Sequence, residues 1–184
     1  EIYVTDEGII RKIYTTDNNT IFHHSSNETL TNIKVVNVAN IDNSWDRNEG
    51  DAASAGFYGP RALDFDSNGD LYIADHEYIK KLTVGTQSSD PQVTNVIQKG
   101  WSEKEGLVID GSNNVYFSSR NNSYIYKYVA STGSLSKVID TDADTVDGAI
   151  ATAKIAKPKD ITLHPSTGNL VFVQDDDKKV REID

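Results

Sequence analysis

The chain has 184 residues, 18 Lys+Arg against 28 Asp+Glu for a formal net charge of −10, and neither cysteine nor methionine. That balance excludes a surface built to grip phosphate backbones, so no nucleic-acid partner is expected. The missing cysteines exclude a disulfide framework, a thiolate zinc site and a cysteine nucleophile.

Mean hydropathy is −0.51, and the apolar runs of four or five residues fall far short of the roughly 20 that a membrane span needs. No membrane span is therefore expected. Glu1-Ile2-Tyr3 is no basic, then apolar, then small leader. A first residue other than Met predicts a processed or truncated chain.

In chain order, Ile2-Tyr3-Val4-Thr5-Asp6 and the stretch holding Ile10, Lys12 and Ile13 read as short strands. An insertion rich in Asn, Ser, Thr and His follows at 16–32, then a strand at Lys34–Val38. Next come strands at Arg61–Phe65, Leu71–Ala74, Tyr78–Thr83 and Val93–Ile97, and a similar series at Gly106–Ile109, Asn114–Phe117, Ser123–Tyr128 and Leu135–Ile139. The last are Lys159–Leu163, Leu170–Val173 and Lys178–Ile183. β-Branched and aromatic residues fill these segments, and turn formers such as Ser67-Asn68-Gly69 and Pro165-Ser166-Thr167-Gly168 bound them. Tyr78–Thr83 and Lys178–Ile183 alternate apolar and polar, the mark of half-exposed strands. Ala149–Ala156 has a weak helical look, but its place in the repeat puts it in a loop.

The repeat is an internal one. Placing Pro60 on Pro158 sets Glu49-Gly50 on Asp147-Gly148, Ala55 on Ala153, Phe57 on Ile155 and Leu63 on Ile161. Leu63, Asp66, Leu71 and Tyr72 also match Leu107, Asp110, Val115 and Tyr116, and the first strands match Leu71–Asp75 and Ile79–Leu82. Four units result, at 1–40, 41–98, 99–140 and 141–184. Four short strands per unit of about 45 residues predict an all-β fold of propeller blades. Counted by strand role, the chain begins at the second strand of a blade and stops at the third strand of another. About three and a half blades are predicted, as part of a larger propeller.

The run from Glu49 to Asp75, an acidic-Gly pair, small residues, Phe57, Pro60, a strand, the turn Asn68-Gly69 and Leu71-Tyr72-Ile73-Ala74-Asp75, resembles the NHL repeat. Val146–Gln174 is similar, with Gln174 in place of the closing Asp; the middle copy departs, with Lys104 for the Pro and Ser119 for the Asp. The resemblance implies a β-propeller of four-stranded blades, most often of about six. A fold label leaves function open.

Candidate sites follow from the loops. Trp45, Arg47 and Trp101 precede the first strands of their blades, and His76, Tyr78 and Arg120 lie at turns between second and third strands. Together they predict an aromatic-cationic binding face. Asp6 and Asp75 end second strands, where a carboxylate in the turn accepts backbone N–H groups and holds the next strand in place. Asp140, Asp142 and Asp144 alternate as in a calcium loop, yet Thr145 and Ala151 stand where an EF-hand needs Gly and Glu, so a solvated acidic loop is the first expectation and calcium the second. Asn18, Asn27 and Asn121 lie in N-x-S/T sequons. No G-x-S-x-G, no P-loop and no G-x-G-x-x-G occurs.

The sequence thus predicts a non-catalytic binding or scaffolding module, extracellular or at the cell surface. It would engage a protein or glycan through its loop face, or assemble with copies of itself, without a required cofactor. The alternative is a calcium- or zinc-dependent propeller hydrolase or lyase of the lactonase-like or amidating-lyase-like kind.

Overall fold

A computed structural model describes residues 1–16, 33–40, 43, 45–83, 91–98, 103–139, 145–176 and 178–184. Among them are fifteen strands and no helix. The first sheet holds β1 (Ile2–Asp6), β2 (Ile9–Thr15) and β3 (Ile33–Ala39) in that order. The second holds β5 (Pro60–Phe65), β6 (Leu71–Asp75), β7 (Tyr78–Thr83) and β8 (Gln92–Gln98), with the two-residue β4 (Gly50–Asp51) outside β8. β9 (Lys104–Ile109), β10 (Asn114–Ser119), β11 (Tyr124–Val129) and β12 (Ser134–Ile139) make the third. β13 (Pro158–Leu163), β14 (Leu170–Gln174) and β15 (Lys179–Ile183) make the fourth. Every pairing is antiparallel between chain neighbours, apart from β4 with β8.

Three apolar layers stack these sheets face to face. Ile10 and Ala39 of the first sheet meet Leu71, Ile73, Leu82 and Val93 of the second, with Ala52, Ala55 and Phe57 of the lead-in to β5 wedged beside them. Tyr72, Ala74, Ile79 and Ile97 then meet Leu107, Val115, Phe117 and Tyr126, and Ile125 and Ile139 meet Ile161, Leu170 and Phe172. The outer strands of the first three sheets share a device: β3, β8 and β12 each bulge near the end of their pairing, at Val38, Val96 and Val138. The extra residue bends the strand and raises its twist.

Gly50 pairs with Val93 and Asp51 with Gln92, so the lead-in seals the edge of its own sheet. The φ of +117° at Gly50 and +146° at its counterpart Gly148 is open to glycine alone in practice. One expectation is corrected: the alternation of Tyr78–Thr83 predicted a half-exposed strand, but Lys80 is fully buried. Half-exposure follows from alternation only where one face meets water, and the second sheet is covered on both.

The turns after β5, β9 and β13 are built alike. Oδ1 of Asp66 accepts the N–H groups of Asn68 and Asp70 at 2.9 and 3.0 Å, and Oδ1 of Asp110 those of Ser112 and Asn114 at 2.9 and 2.8 Å. In the fourth sheet His164 Nδ1 accepts from Ser166 and Thr167 at 3.3 Å each. A carboxylate makes the stronger acceptor. His164→Asp is therefore expected to raise folding free energy by about 0.5–1 kcal/mol, read as a higher urea midpoint at neutral pH. No change, or a loss, would show that the imidazole serves the turn equally well.

Candidate functional site

The segment leading into β5 and the tight turn between β6 and β7 lie at the same end of the second sheet, because Pro60 at the start of β5 pairs with Asp75 at the end of β6. Asp75 ties them together. It is fully buried, and its Oδ1 accepts the N–H groups of Tyr58 at 3.0 Å and Gly59 at 2.7 Å. Burial pushes its carboxyl above the usual carboxylate range, against the pull of Gly59 N–H, Lys80 and Tyr58 N–H. Asp75 thus holds the preceding loop, whereas the sequence pointed to the following strand. Its repeat partner Asp6 does something else: it is exposed and pairs with Arg11 at 2.7 Å.

Tyr58, fixed in this way, is the hub of an aromatic-cationic group. Trp45 meets its ring edge-on at 6.0 Å and His76 at 4.9 Å between centroids, and the Arg47 guanidinium lies 4.7 Å from the ring centre. The indole of Trp45 is 60% exposed and Tyr58 41%, so this end of the sheet offers two large rings to solvent. Beneath them Arg47 pairs with Glu77 at 3.2 Å, and His76 Nδ1 lies 3.6 Å from the same carboxylate oxygen. Lys80 Nζ donates to the Arg47 carbonyl at 3.2 Å and lies 5.3 Å from the Tyr78 ring centre. Burial holds the Lys80 ammonium below its ordinary range, opposed by Asp75 and Glu49. Lys104, at the head of β9, is fully buried and pushed down to about 8 by burial, with the Glu77 carboxylate pulling the other way.

Sheets stacked by their faces, with one strand of each toward the same edge, allow a comparison with known proteins. No family model and no curated protein matches the sequence. Solved structures do. A protein of unknown function from Bacteroides thetaiotaomicron VPI-5482 superposes with a TM-score of 0.57 at 23% identity, over 68% of this chain and 33% of its own. An auxiliary nutrient binding protein from the same organism gives 0.55 at 18%, over 82% of this chain and 42% of its own. These neighbours are propeller-like. The fold is a β-propeller. The chain spans about a third to two-fifths of the length of the structures it resembles.

The four sheets are its blades, and the Trp45–His76 end of the second blade is its loop face. Of the six predicted binding residues, the structure gathers Trp45, Arg47 and His76 around Tyr58, with Tyr78 joined through Lys80. Arg120 is placed elsewhere: it pairs with Asp175 of the fourth blade at 2.8 Å. Arg120 and Lys178 hold the Asp175 carboxyl well below the usual range. Trp101, Asn18, Asn27 and the calcium candidates Asp140, Asp142 and Asp144 lie outside the described residues. Asn121 is exposed at the turn after β10. Among the described residues no group of three or more His, Asp or Glu is set to hold a metal ion.

Sequence reasoning missed Tyr58, Lys80 and Lys104. Only Lys104 carried a signal, as the departure from Pro at a repeated position. The arrangement sets two exposed rings and a guanidinium over buried Asp75, Glu77, Lys80 and Lys104.

Proposed function

We propose that the chain is an NHL-like propeller module that binds a protein or glycan partner through the loop face centred on Tyr58. The observation that carries this reading is the exposed pair Trp45 and Tyr58 with Arg47 stacked on the latter. Aromatic rings and arginine are the residues that concentrate binding energy, because they bring large rigid area at low entropic cost. Here the backing is already paid in folding: Arg47 is fixed by Glu77 and Tyr58 by Asp75. One of the similar structures is described as a nutrient binding protein; at 18% identity that likeness carries the fold, and the binding reading rests on this chain's own residues.

An extracellular or cell-surface location belongs to the same proposal. Exposed Asn121 in its sequon leaves room for an N-glycan, which intact mass of material from a eukaryotic source would reveal.

Glycan and extracellular-protein arrays probed with the chain test the reading. Trp45→Ala and Tyr58→Ala are each expected to weaken any hit by at least about tenfold, about 1.4 kcal/mol, with the circular dichroism spectrum unchanged. A hit that survives both substitutions would place binding on another surface.

A further inference from the structure

The charges around Tyr58 are matched among themselves. Arg47, Lys80 and Lys104 face the carboxylates of Glu49, Asp75 and Glu77, three against three. Asp46, beside Trp45, is itself engaged within the chain. A charged ligand would therefore have to break the Arg47–Glu77 pair to find a counter-ion. That would strand Glu77, which is 3% exposed, and leaving one side of a buried pair alone is costly.

What is left uncommitted is neutral. Neither the hydroxyl of Tyr58 nor Nε2 of His76 makes a hydrogen bond within the chain, among the described residues. The His76 side chain is 24% exposed, with its Nδ1 buried 3.6 Å from the Glu77 carboxylate. That carboxylate draws the ring proton to Nδ1, so Nε2 is an acceptor. The Tyr58 hydroxyl both donates and accepts. The two stand together, because the rings of Tyr58 and His76 meet at 4.9 Å.

The apolar part of the surface is small. Trp45 and Tyr58 meet at 82°, so they form a corner and not a platform. Arg47 covers a face of Tyr58 at 4.7 Å, which leaves the indole of Trp45, 60% exposed, as the open aromatic face. Phe65, the other large apolar residue exposed among the described residues of this blade, lies at the far end of β5. A protein partner covers roughly 800 Å² on each side, far more than two rings at right angles offer. One indole matches the size of one pyranose ring. Such a ring carries an apolar face of C–H bonds, a rim of hydroxyls that donate and accept, and no charge.

Given a ligand on the loop face, as proposed above, we infer that it is a neutral saccharide. One pyranose ring lies on the indole of Trp45, and its hydroxyls bond to the Tyr58 hydroxyl and to His76 Nε2. Arg47 and Glu77 stay paired and hold the corner in shape.

The test titrates the chain by calorimetry with a panel of neutral tetrasaccharides: cellotetraose, maltotetraose, mannotetraose and galactotetraose. The control is tetragalacturonate, of similar size but anionic. At least one neutral member is expected to bind one-to-one at about 1 mM or tighter, with an affinity that added salt leaves unchanged. Trp45→Ala should weaken it at least about tenfold; the residue is exposed, so the core is untouched. Tyr58→Phe keeps the ring, its contact with Arg47 and the main-chain bond to Asp75, and should weaken binding about two- to tenfold through the hydroxyl alone. No binding by any neutral member, tighter binding of tetragalacturonate, or indifference to Tyr58→Phe overturns the inference. A protein hit that is lost in Trp45→Ala, with every saccharide silent, removes the saccharide and keeps the loop face as the binding surface. Saccharide binding that survives Trp45→Ala removes both.

Discussion

Gly56→Ala is expected to lower folding free energy by about 4 kcal/mol or more, among the largest effects open to a single substitution. A Cβ at Gly56 would sit 1.4 Å from the Asp46 carbonyl oxygen and 2.4 Å from its carbon. Both neighbours are main chain, so no side chain can swing aside. Relief requires the lead-in to move, and that segment carries Ala52, Ala55 and Phe57 into the layer between the first two blades. It also carries Trp45 and Arg47, which flank Asp46 in the chain, so the loop face goes with it. Urea unfolding should show the midpoint falling steeply. Binding by the loop face should weaken even where the variant is folded. Gly59→Ala is the control, because a Cβ there meets nothing within 4 Å; it should stay within about 0.5 kcal/mol of the parent. Equal stability for the two variants would mean that the lead-in does not make this close approach. Gly106→Ala extends the argument to the inner strands, where the new Cβ would come within 2.7 Å of the Ile161 nitrogen and the Lys159 oxygen.

The strands were legible because each apolar position is repeated in register. Leu71-Tyr72-Ile73 predicts β6 by its own pattern, and its recurrence at Val115-Tyr116-Phe117 and Leu170-Val171-Phe172 makes chance agreement untenable. Asp75 was legible for the same reason. What escaped depends on neighbours distant in sequence. Lys80 lies on a strand read as half-exposed, yet it is buried and its ammonium reaches the Arg47 carbonyl, 33 residues away. Arg120 was grouped with Trp45 because their loops were read as one face, but its carboxylate partner Asp175 lies 55 residues on. β4 escaped because two residues, one of them glycine, have no strand pattern; only the edge of β8 makes them a strand. Within the site, Trp45, Arg47 and His76 were found through the loops that carry them. Tyr58, the residue they meet on, was passed over because its ring position is set by the N–H bond to Asp75 rather than by any local motif.

Glu77→Ala is expected to cost about 3–5 kcal/mol, the range for breaking a buried ion pair from one side. Glu77 is 3% exposed and faces two cations, Arg47 at 3.2 Å and the fully buried Lys104. Arg47 keeps access to solvent and can turn outward. Lys104 cannot, and loses the carboxylate that offsets its burial. Lys104→Met should behave oppositely, because the methionine fills the same space with no ammonium to desolvate. A gain of about 1–3 kcal/mol at pH 7 is expected. The pH dependence separates this from simple repacking. In the unfolded chain Lys104 keeps its proton up to its ordinary 10.5, whereas the folded chain releases it at about 8. Between those values the unfolded state holds more protons, so raising the pH favours the folded state. The parent therefore gains stability from this group as pH rises from about 8 toward 10, and Lys104→Met does not, so the advantage of the variant should shrink over that window. The double variant Glu77→Leu with Lys104→Met should recover more than half of the loss caused by Glu77→Ala. Parallel stability profiles for the parent and Lys104→Met between pH 7 and 10, or a Glu77→Ala cost below about 1 kcal/mol, would remove the buried pair from the account of what makes the loop face rigid.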